Sequence, residues 1–79
     1  MNHSLSEVEV GKKVVVVSYE GESSYEFKFI SLGILPGDII IVKSKSLFGG
    51  PIAIKHGDGN FFALRKSYAK KIIVKDLEA

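Results

Sequence analysis

Residues 32–52 constrain the fold of this chain more than any other stretch of its sequence. Gly33 can end a helix in the left-handed conformation, and Pro36-Gly37 favours a turn. The apolar run from Ile39 to Val42 suits a buried strand, and Gly49-Gly50-Pro51 suits a tight break before the next strand. The segment therefore predicts a helix end, a turn, a strand, a break and a second strand, and little of it is catalytic in character.

A helix is predicted immediately before this segment. Tyr25, Phe29 and Leu32 repeat at helical spacing up to Gly33, which places their side chains on one face. Ser23 can cap the start of the helix while Glu26 reaches back to the Ser23 backbone N–H, the arrangement called a capping box. We expect this to be the main helix of the chain.

Short strands are predicted on both sides of the helix. Lys12 to Tyr19 contains a valine run and stops at the turn-forming Glu20-Gly21-Glu22. Further strands are expected at about 38–44, 51–56, 60–65 and 71–75, with a short helical turn at 66–70. A three-residue loop at 57–59 would pair Ile54 with Phe62 and so keep both apolar side chains on one face, whereas a two-residue loop would separate them.

These elements predict the mainly β class, with the chain forming one domain over residues 1–79. Five short, twisted strands with one short α-helix inserted after the first strand suit a small five-stranded SH3-like barrel, because closure protects the strand edges. The expected core comprises Val14, Val16, Phe29, Leu32, Ile39, Ile41, Ile52, Ile54, Phe62, Leu64, Ala69, Ile72 and Val74.

Composition limits the class of protein further. A chain of 79 residues without cysteine has neither disulfides nor thiolate metal ligands, and its core must be thin. The start of the chain lacks the basic and apolar regions of a signal peptide, and no apolar run is long enough to cross a bilayer. We therefore expect a cytoplasmic protein without membrane insertion. The net charge is +2 with ten of eleven cationic residues being lysine, which is weak support for nucleic-acid binding.

Metal, cofactor and enzyme functions find little support in the sequence. His3 and His56 are the only histidines, and a metal site needs three or four converging ligands. We expect a structural or solvent-facing role for His56, a turn role for Asp58, and no bound metal or cofactor. No serine or other nucleophile has an obvious activating base, so an enzyme is not predicted.

Leu47 and Phe48 are the candidate functional residues. Two large apolar side chains stand at the tip of a predicted loop, between the polar stretch 43–46 and Gly49-Gly50. Phe48 could fold back over one end of the barrel, or it could be an exposed anchor for another protein, as aromatic hot spots often are. Lys43, Lys45 and the lysines of residues 66–71 could steer an acidic partner or simply be solvated. The predicted partner-binding set is Leu47, Phe48, Gly49, Gly50, Lys43 and Lys45.

An ordered set of short motifs runs along nearly the whole chain. The set comprises Leu5-Ser6, Val10-Gly11-Lys12, Leu32-Gly33-Ile34, Pro36-Gly37, Gly49-Gly50-Pro51, Ala63-Leu64-Arg65, Ala69, Ile72 and Val74. A chain with these motifs in this order resembles the proteins of the FeoA family. These are the small cytosolic proteins that accompany the bacterial ferrous-iron transporter FeoB. The resemblance implies an SH3-like barrel that acts by protein–protein interaction with the cytoplasmic region of a FeoB-type transporter in Fe(II) uptake.

Two rival functions remain at this stage. The stretch 11–17 followed by Gly21 loosely echoes small ribosomal barrels, which would bind RNA through phosphate contacts. A peptide-binding SH3 domain would need clustered exposed Tyr and Trp, and the chain has no Trp. The inserted helix and the Gly-Gly-Pro break favour the transporter accessory, so no nucleic-acid partner is expected. Small barrels with exposed loops can dimerise, and weak self-association is left open.

Overall fold

The computed structural model describes residues 2–57 and 59–77, and its elements follow the predicted order. The elements are β1 (Asn2–Ser4), a 3-10 turn (Leu5–Glu7), β2 (Lys13–Tyr19), α1 (Ser23–Ser31), β3 (Ile39–Lys45), a second 3-10 turn (Leu47–Gly49), β4 (Ile52–His56), β5 (Phe61–Leu64), α2 (Lys66–Ala69) and β6 (Ile72–Asp76). The mainly β class, the five predicted strands and the helix inserted after the first of them are confirmed. The strand β1 was not predicted, because three residues are too few to show an alternating pattern.

The strands form one antiparallel sheet in the order β1-β6-β2-β3-β4-β5. The strands β2 to β5 follow one another as neighbours, and β6 returns to pair with β2. The β4–β5 hairpin pairs Ile54 with Phe62 and Ile52 with Leu64, so the three-residue loop is confirmed. Gly59 has φ +103° and donates its N–H to the His56 carbonyl at 2.9 Å, while Asp58 lies outside the described residues.

The core is built from the inward-facing side chains of the sheet, covered by α1, α2 and the first 3-10 turn. Its buried members are Leu5, Val8, Val14, Val16, Phe29, Ile34, Ile40, Val42, Ile52, Ile54, Leu64, Ala69, Ile72 and Val74. Phe29 is the largest of the fully buried side chains, and its ring lies 5.4 Å from the Tyr19 ring, centroid to centroid. A single phenylalanine on α1 thus joins the helix to the sheet.

The end of α1 follows from Gly33, as the sequence predicts. Gly33 has φ +82°, its N–H donates to the Ile30 carbonyl, and the Ile34 N–H donates to the Phe29 carbonyl, both at 2.9 Å. This pair of bonds is the Schellman motif, which is usually accompanied by an apolar contact across the helix end. Here it brings Ile34 into the core beside Phe29, and the Tyr19 hydroxyl donates to the Ile34 carbonyl.

The predicted inward face of β3 is wrong. Ile39 is 39% exposed and Ile41 is half-buried, whereas Ile40 and Val42 are buried. The cause is the register of β3 against β2, in which Ile40 lies opposite the buried Val14 and therefore shares its face. A run of four apolar residues contains no alternation, so its pattern cannot show which face is inward.

Three smaller expectations about the core and the helix start also need correction. Leu32 is only partly buried, because the left-handed turn at Gly33 sends Ile34 inward instead. Ser23 is the first residue of α1, Glu22 occupies the cap position, and no side chain caps the helix. The sequence analysis also missed Leu5, which the first 3-10 turn carries into the core. Phe62 is half-buried and packs against the core rather than within it.

No helix in residues 2–57 and 59–77 is long and apolar enough to cross a membrane.

Candidate functional site

The loop between β3 and β4 is closed by one serine. The Ser46 N–H donates to the Pro51 carbonyl at 3.2 Å, and the Ser46 hydroxyl donates to the same oxygen at 2.8 Å. Both bonds span the four residues 47–50 and hold the base of the loop shut. The loop tip is therefore presented from a fixed base at the end of two paired strands.

Phe48 stands at the tip of this loop with its side chain fully in solvent. Its relative exposure is 103%, and that of Leu47 is 81%. Phe48 also has φ 62° and ψ 30°, and it is the only non-glycine residue with positive φ in the described part of the chain. A left-handed conformation costs a bulky residue roughly 1–2 kcal/mol. The interpretation of Phe48 as a cover for the barrel end is thus wrong, since its ring packs on nothing.

The two glycines that follow have different reasons for being glycine. Gly49 has φ +76° and continues the left-handed turn, with open space where a side chain would be. Gly50 has an ordinary φ of −72°, but a Cβ atom there would lie 2.7 Å from the Cβ of Ser46. That separation is shorter than any normal contact, so Gly50 permits the close approach that lets Ser46 bond to Pro51.

The two predicted lysines of β3 occupy different places. Lys45 donates from Nζ to the Ser6 carbonyl at 3.1 Å and borders a depression beside Gly49 and Gly50. Lys43 is exposed where the β3–β4 register shifts between Val42 and Ser44, and it does not border that depression. The fold therefore brings Lys45 to the loop and leaves Lys43 on the neighbouring surface.

Two further cationic residues lie at this site: Arg65, to which the sequence pattern assigned no binding role, and Lys66, one of the lysines of 66–71 expected either to be solvated or to steer a partner. Arg65 and Lys66, at the start of α2, border a second depression beside Gly49, Gly50 and Pro51. Nearly fifteen residues of sequence separate them from the loop, and only the packing of α2 brings them close. The signal available in the sequence was that Arg65 is the single arginine of the chain.

The two histidines take part in separate pairs with aspartate. Nε2 of His56 lies 2.6 Å from Oδ2 of Asp38, which also accepts the Leu35 N–H at 2.9 Å. His3 lies 3.4 Å from a carboxylate oxygen of Asp76. Within residues 2–57 and 59–77, the structure has no group of three or more His, Asp or Glu side chains that could hold a metal ion.

Asp38 sits in a polar network at the opposite end of β3 from Phe48. Burial alone raises the pKa of its carboxyl group, but the hydrogen bond from the Leu35 N–H and the interaction with His56 outweigh burial. The pKa of Asp38 is therefore below its ordinary value of 3.8. Burial, together with the charges of Asp38 and Glu26, raises the pKa of the Tyr19 hydroxyl above 10.0. These shifts stabilise ionised Asp38 and neutral Tyr19, which suits a structural role.

Comparison with known proteins places this architecture in one family. The model of the FeoA domain matches residues 3–76. A crystal structure of an iron uptake regulatory protein, FeoA, is 36% identical, with 98% of this chain and 99% of that chain covered and a TM-score of 0.85. The solution structure of a FeoA-like protein from Clostridium acetobutylicum is 37% identical, with 99% of this chain and 90% of that chain covered and a TM-score of 0.87.

A third related structure names the fold. The zinc complex of FeoA from Stenotrophomonas maltophilia, described as a prokaryotic SH3 domain protein, is 28% identical, with 91% of this chain and 88% of that chain covered and a TM-score of 0.75. The SH3-like prediction is thereby confirmed. A search of curated proteins found no match.

Proposed function

The chain belongs to the FeoA family, and from that premise we propose that it is a non-enzymatic accessory protein that binds the cytoplasmic region of a FeoB-type ferrous-iron transporter. Related proteins carry the names iron uptake regulatory protein and iron(II) transport protein A. The relative from Stenotrophomonas maltophilia has a suggested role as an activating factor of ferrous-iron transport. An accessory protein of this kind acts in the cytoplasm by contact with its partner rather than by a reaction of its own.

The observation that carries this proposal is the geometry of Phe48. An aromatic ring that is fully in solvent gains nothing from folding, and its left-handed backbone adds a cost. Such outliers persist where the surrounding structure holds them for a function. In this loop the Ser46–Pro51 closure holds Phe48 outward before any partner arrives, so little ordering entropy remains to be lost on binding.

The proposed contact surface has an apolar centre and a charged edge. Leu47 and Phe48 form the apolar centre, and Gly49 and Gly50 extend the surface beside it. At Gly49, where a side chain would face open space, the partner backbone can approach closely. Lys43 and Lys45 belong to the charged edge, where they attract an acidic partner before contact. This division matches the usual anatomy of a protein interface, in which a few desolvated anchors carry most of the binding energy.

The test is capture of the transporter's cytoplasmic region by the parent chain and by Phe48→Asp. We expect the variant to bind more weakly by about 2 kcal/mol or more, the usual loss for an aromatic hot spot. The double variant Lys43→Gln/Lys45→Gln should mainly slow association and reduce its dependence on salt. Association and dissociation rates measured at two salt concentrations separate these effects.

Phe61→Asp is the matched control, because Phe61 is also an exposed phenylalanine but lies on β5, away from the loop. It should bind as well as the parent does. Equal binding by Phe48→Asp and the parent, with both folded, would contradict the assignment of Phe48 as the anchor. No detectable binding by the folded parent at high micromolar concentration would contradict the proposed function itself.

A further inference from the structure

Two shallow depressions flank Gly49 and Gly50. One has a volume of about 90 Å³ and the other about 350 Å³. Both are bordered by Gly49, Gly50 and Lys66, so they adjoin one another and together make a groove between the loop and the start of α2. We call this the basic groove. A Cβ atom at Gly49 would meet nothing within 4 Å, so the missing side chain of this residue leaves space beside the groove.

The charges that border the basic groove are all positive. Lys45 stands on one side, Arg65 on the other, and Lys66 between them, and none of the described residues on the border carries a carboxylate. The ion pairs formed by residues 2–57 and 59–77 are those of His3 with Asp76 and His56 with Asp38. Among these described residues, the three cations of the groove therefore have no carboxylate partner.

Three other lysines have local partners of a different kind. The Nζ atoms of Lys28 and Lys71 lie 4.7 Å and 5.5 Å from the centroids of tyrosine rings, and that of Lys55 lies 5.8 Å from a phenylalanine ring. No such ring contact involves Arg65 or Lys66. Like charges brought together without counter-charges repel one another, so an anion bound in the groove would relieve this repulsion.

We infer that the basic groove binds an acidic, extended peptide segment of the partner protein. The inference rests on the proposed function for the identity of that partner, the transporter's cytoplasmic region. Arg65 supplies a planar fork that can bind a carboxylate through two parallel hydrogen bonds, whereas Lys45 and Lys66 act as point charges. The hydroxyl group of Ser67 adds a donor along the same border.

The position of the groove favours a protein segment over a nucleic acid. It begins at Gly49, directly after Phe48, so a segment lying in it would continue from the apolar contact that Phe48 makes. No aromatic side chain borders either depression, whereas single-stranded nucleic acids rely on stacking as well as on phosphate contacts. Three cations match the two or three carboxylates of a short acidic stretch.

The experiment measures binding of the full-length chain to two probes, the transporter's cytoplasmic region and a short glutamate-rich peptide labelled for fluorescence anisotropy. The double variant Arg65→Gln/Lys66→Gln should bind both probes about tenfold more weakly, as expected for the loss of two partly exposed ion pairs. Arg65→Lys keeps the charge and loses the fork, so we expect an intermediate loss. Lys75→Gln, which removes an exposed lysine on β6, is the control and should match the parent.

The outcomes separate this inference from the proposed function. Binding of the transporter region that depends on Phe48 but is unchanged by Arg65→Gln/Lys66→Gln would overturn the groove and leave the proposed function standing. Binding of the glutamate-rich peptide that depends on the groove, without any binding of the transporter region, would support an anion-binding groove and contradict the proposed function. A short single-stranded RNA or inorganic phosphate that occupies the groove more tightly than the peptide would overturn the assignment of an acidic segment.

Discussion

The two loops that flank β3 use similar residues for opposite purposes. The loop before β3 runs from Gly33 to Asp38 and the loop after it from Ser46 to Pro51, and each combines glycine, proline and large apolar residues. The first loop places Ile34 in the core with 0% exposure, whereas the second leaves Phe48 fully in solvent. Turn chemistry alone therefore does not decide whether an apolar side chain in a loop is buried.

The difference arises from what each loop packs against. Gly33 reverses the chain beneath α1, so that Ile34 meets Phe29, and the Asp38 carboxylate then closes the loop by accepting the Leu35 N–H. The later loop closes on itself through Ser46, and its tip, Leu47 and Phe48, lies in solvent. A loop next to a helix end is stabilised when its apolar residue is buried against the helix. The apolar residue of a loop that extends beyond the sheet stays in solvent.

The largest effect should come from Ile34→Ala in the first loop. Truncation of a fully buried isoleucine costs about 2–5 kcal/mol, a large part of the stability of a small domain. Leu35→Ala is the matched control, because the adjacent Leu35 is 43% exposed and should tolerate the change. Urea denaturation followed by circular dichroism measures both free energies of unfolding. Similar small losses in the two variants would show that the first loop does not anchor the core.

Asp38→Asn should have a smaller effect that depends on pH. The pKa of Asp38 is lower in the folded state than its ordinary value of 3.8, so its stabilising contribution is complete above that value and is lost as the pH falls through the folded pKa. The variant lacks this contribution, which we expect to be about 1 kcal/mol at neutral pH for the hydrogen bonds removed. The parent and variant should therefore converge in stability in strong acid.

Glu20→Gln removes an exposed carboxylate near the end of β2 and serves as the control for Asp38→Asn. Its difference from the parent should stay small at every pH. Chemical denaturation at a series of pH values gives the comparison. A constant gap between Asp38→Asn and the parent down to strong acid would mean that ionisation of Asp38 does not stabilise the first loop.

The smallest expected effect has the opposite sign and concerns Phe48→Gly. Glycine relieves the left-handed strain but adds entropy to the unfolded chain, so the net change should be a gain of at most about 1 kcal/mol. Leu47→Gly, at a residue without positive φ, gains no such relief and should be slightly destabilised. Thermal unfolding of the two variants would show the contrast. A clear loss of stability in Phe48→Gly would mean that the Phe48 ring packs on the protein. Both loops would then bury a large apolar side chain.

Local sequence patterns predicted most of the secondary structure, because each turn, helix end or hairpin is determined by residues within a few positions of it. Gly33 ended the helix as expected, and the three-residue β4–β5 loop followed from the need to keep Ile54 and Phe62 on one face. The exposure of Phe48 was one of two interpretations that the loop sequence allowed. The sequence pattern could not distinguish the two interpretations, because residues 43–50 carry no information about which helix or strand packs near the loop.

The failures share a physical cause in long-range packing. The face of β3 was assigned incorrectly because Ile39 to Val42 has no alternation, and only its register against Val14 on β2 turns Ile40 inward. Arg65 was not connected to Gly49 and Gly50 because only tertiary packing brings the start of α2 beside the loop. Both features depend on contacts between residues that are distant in sequence.

The sequence by itself determined the order of the helices and strands and the left-handed turns at glycine. Its ordered set of motifs also indicated the family. These features depend on backbone preferences and short spacings. The tertiary structure decided which face of β3 is buried, that Phe48 points into solvent, and that three cations from distant segments share one groove. Those properties come from strand register and from the packing of helices on the sheet, which bring together residues whose spacing in the sequence carries no signal.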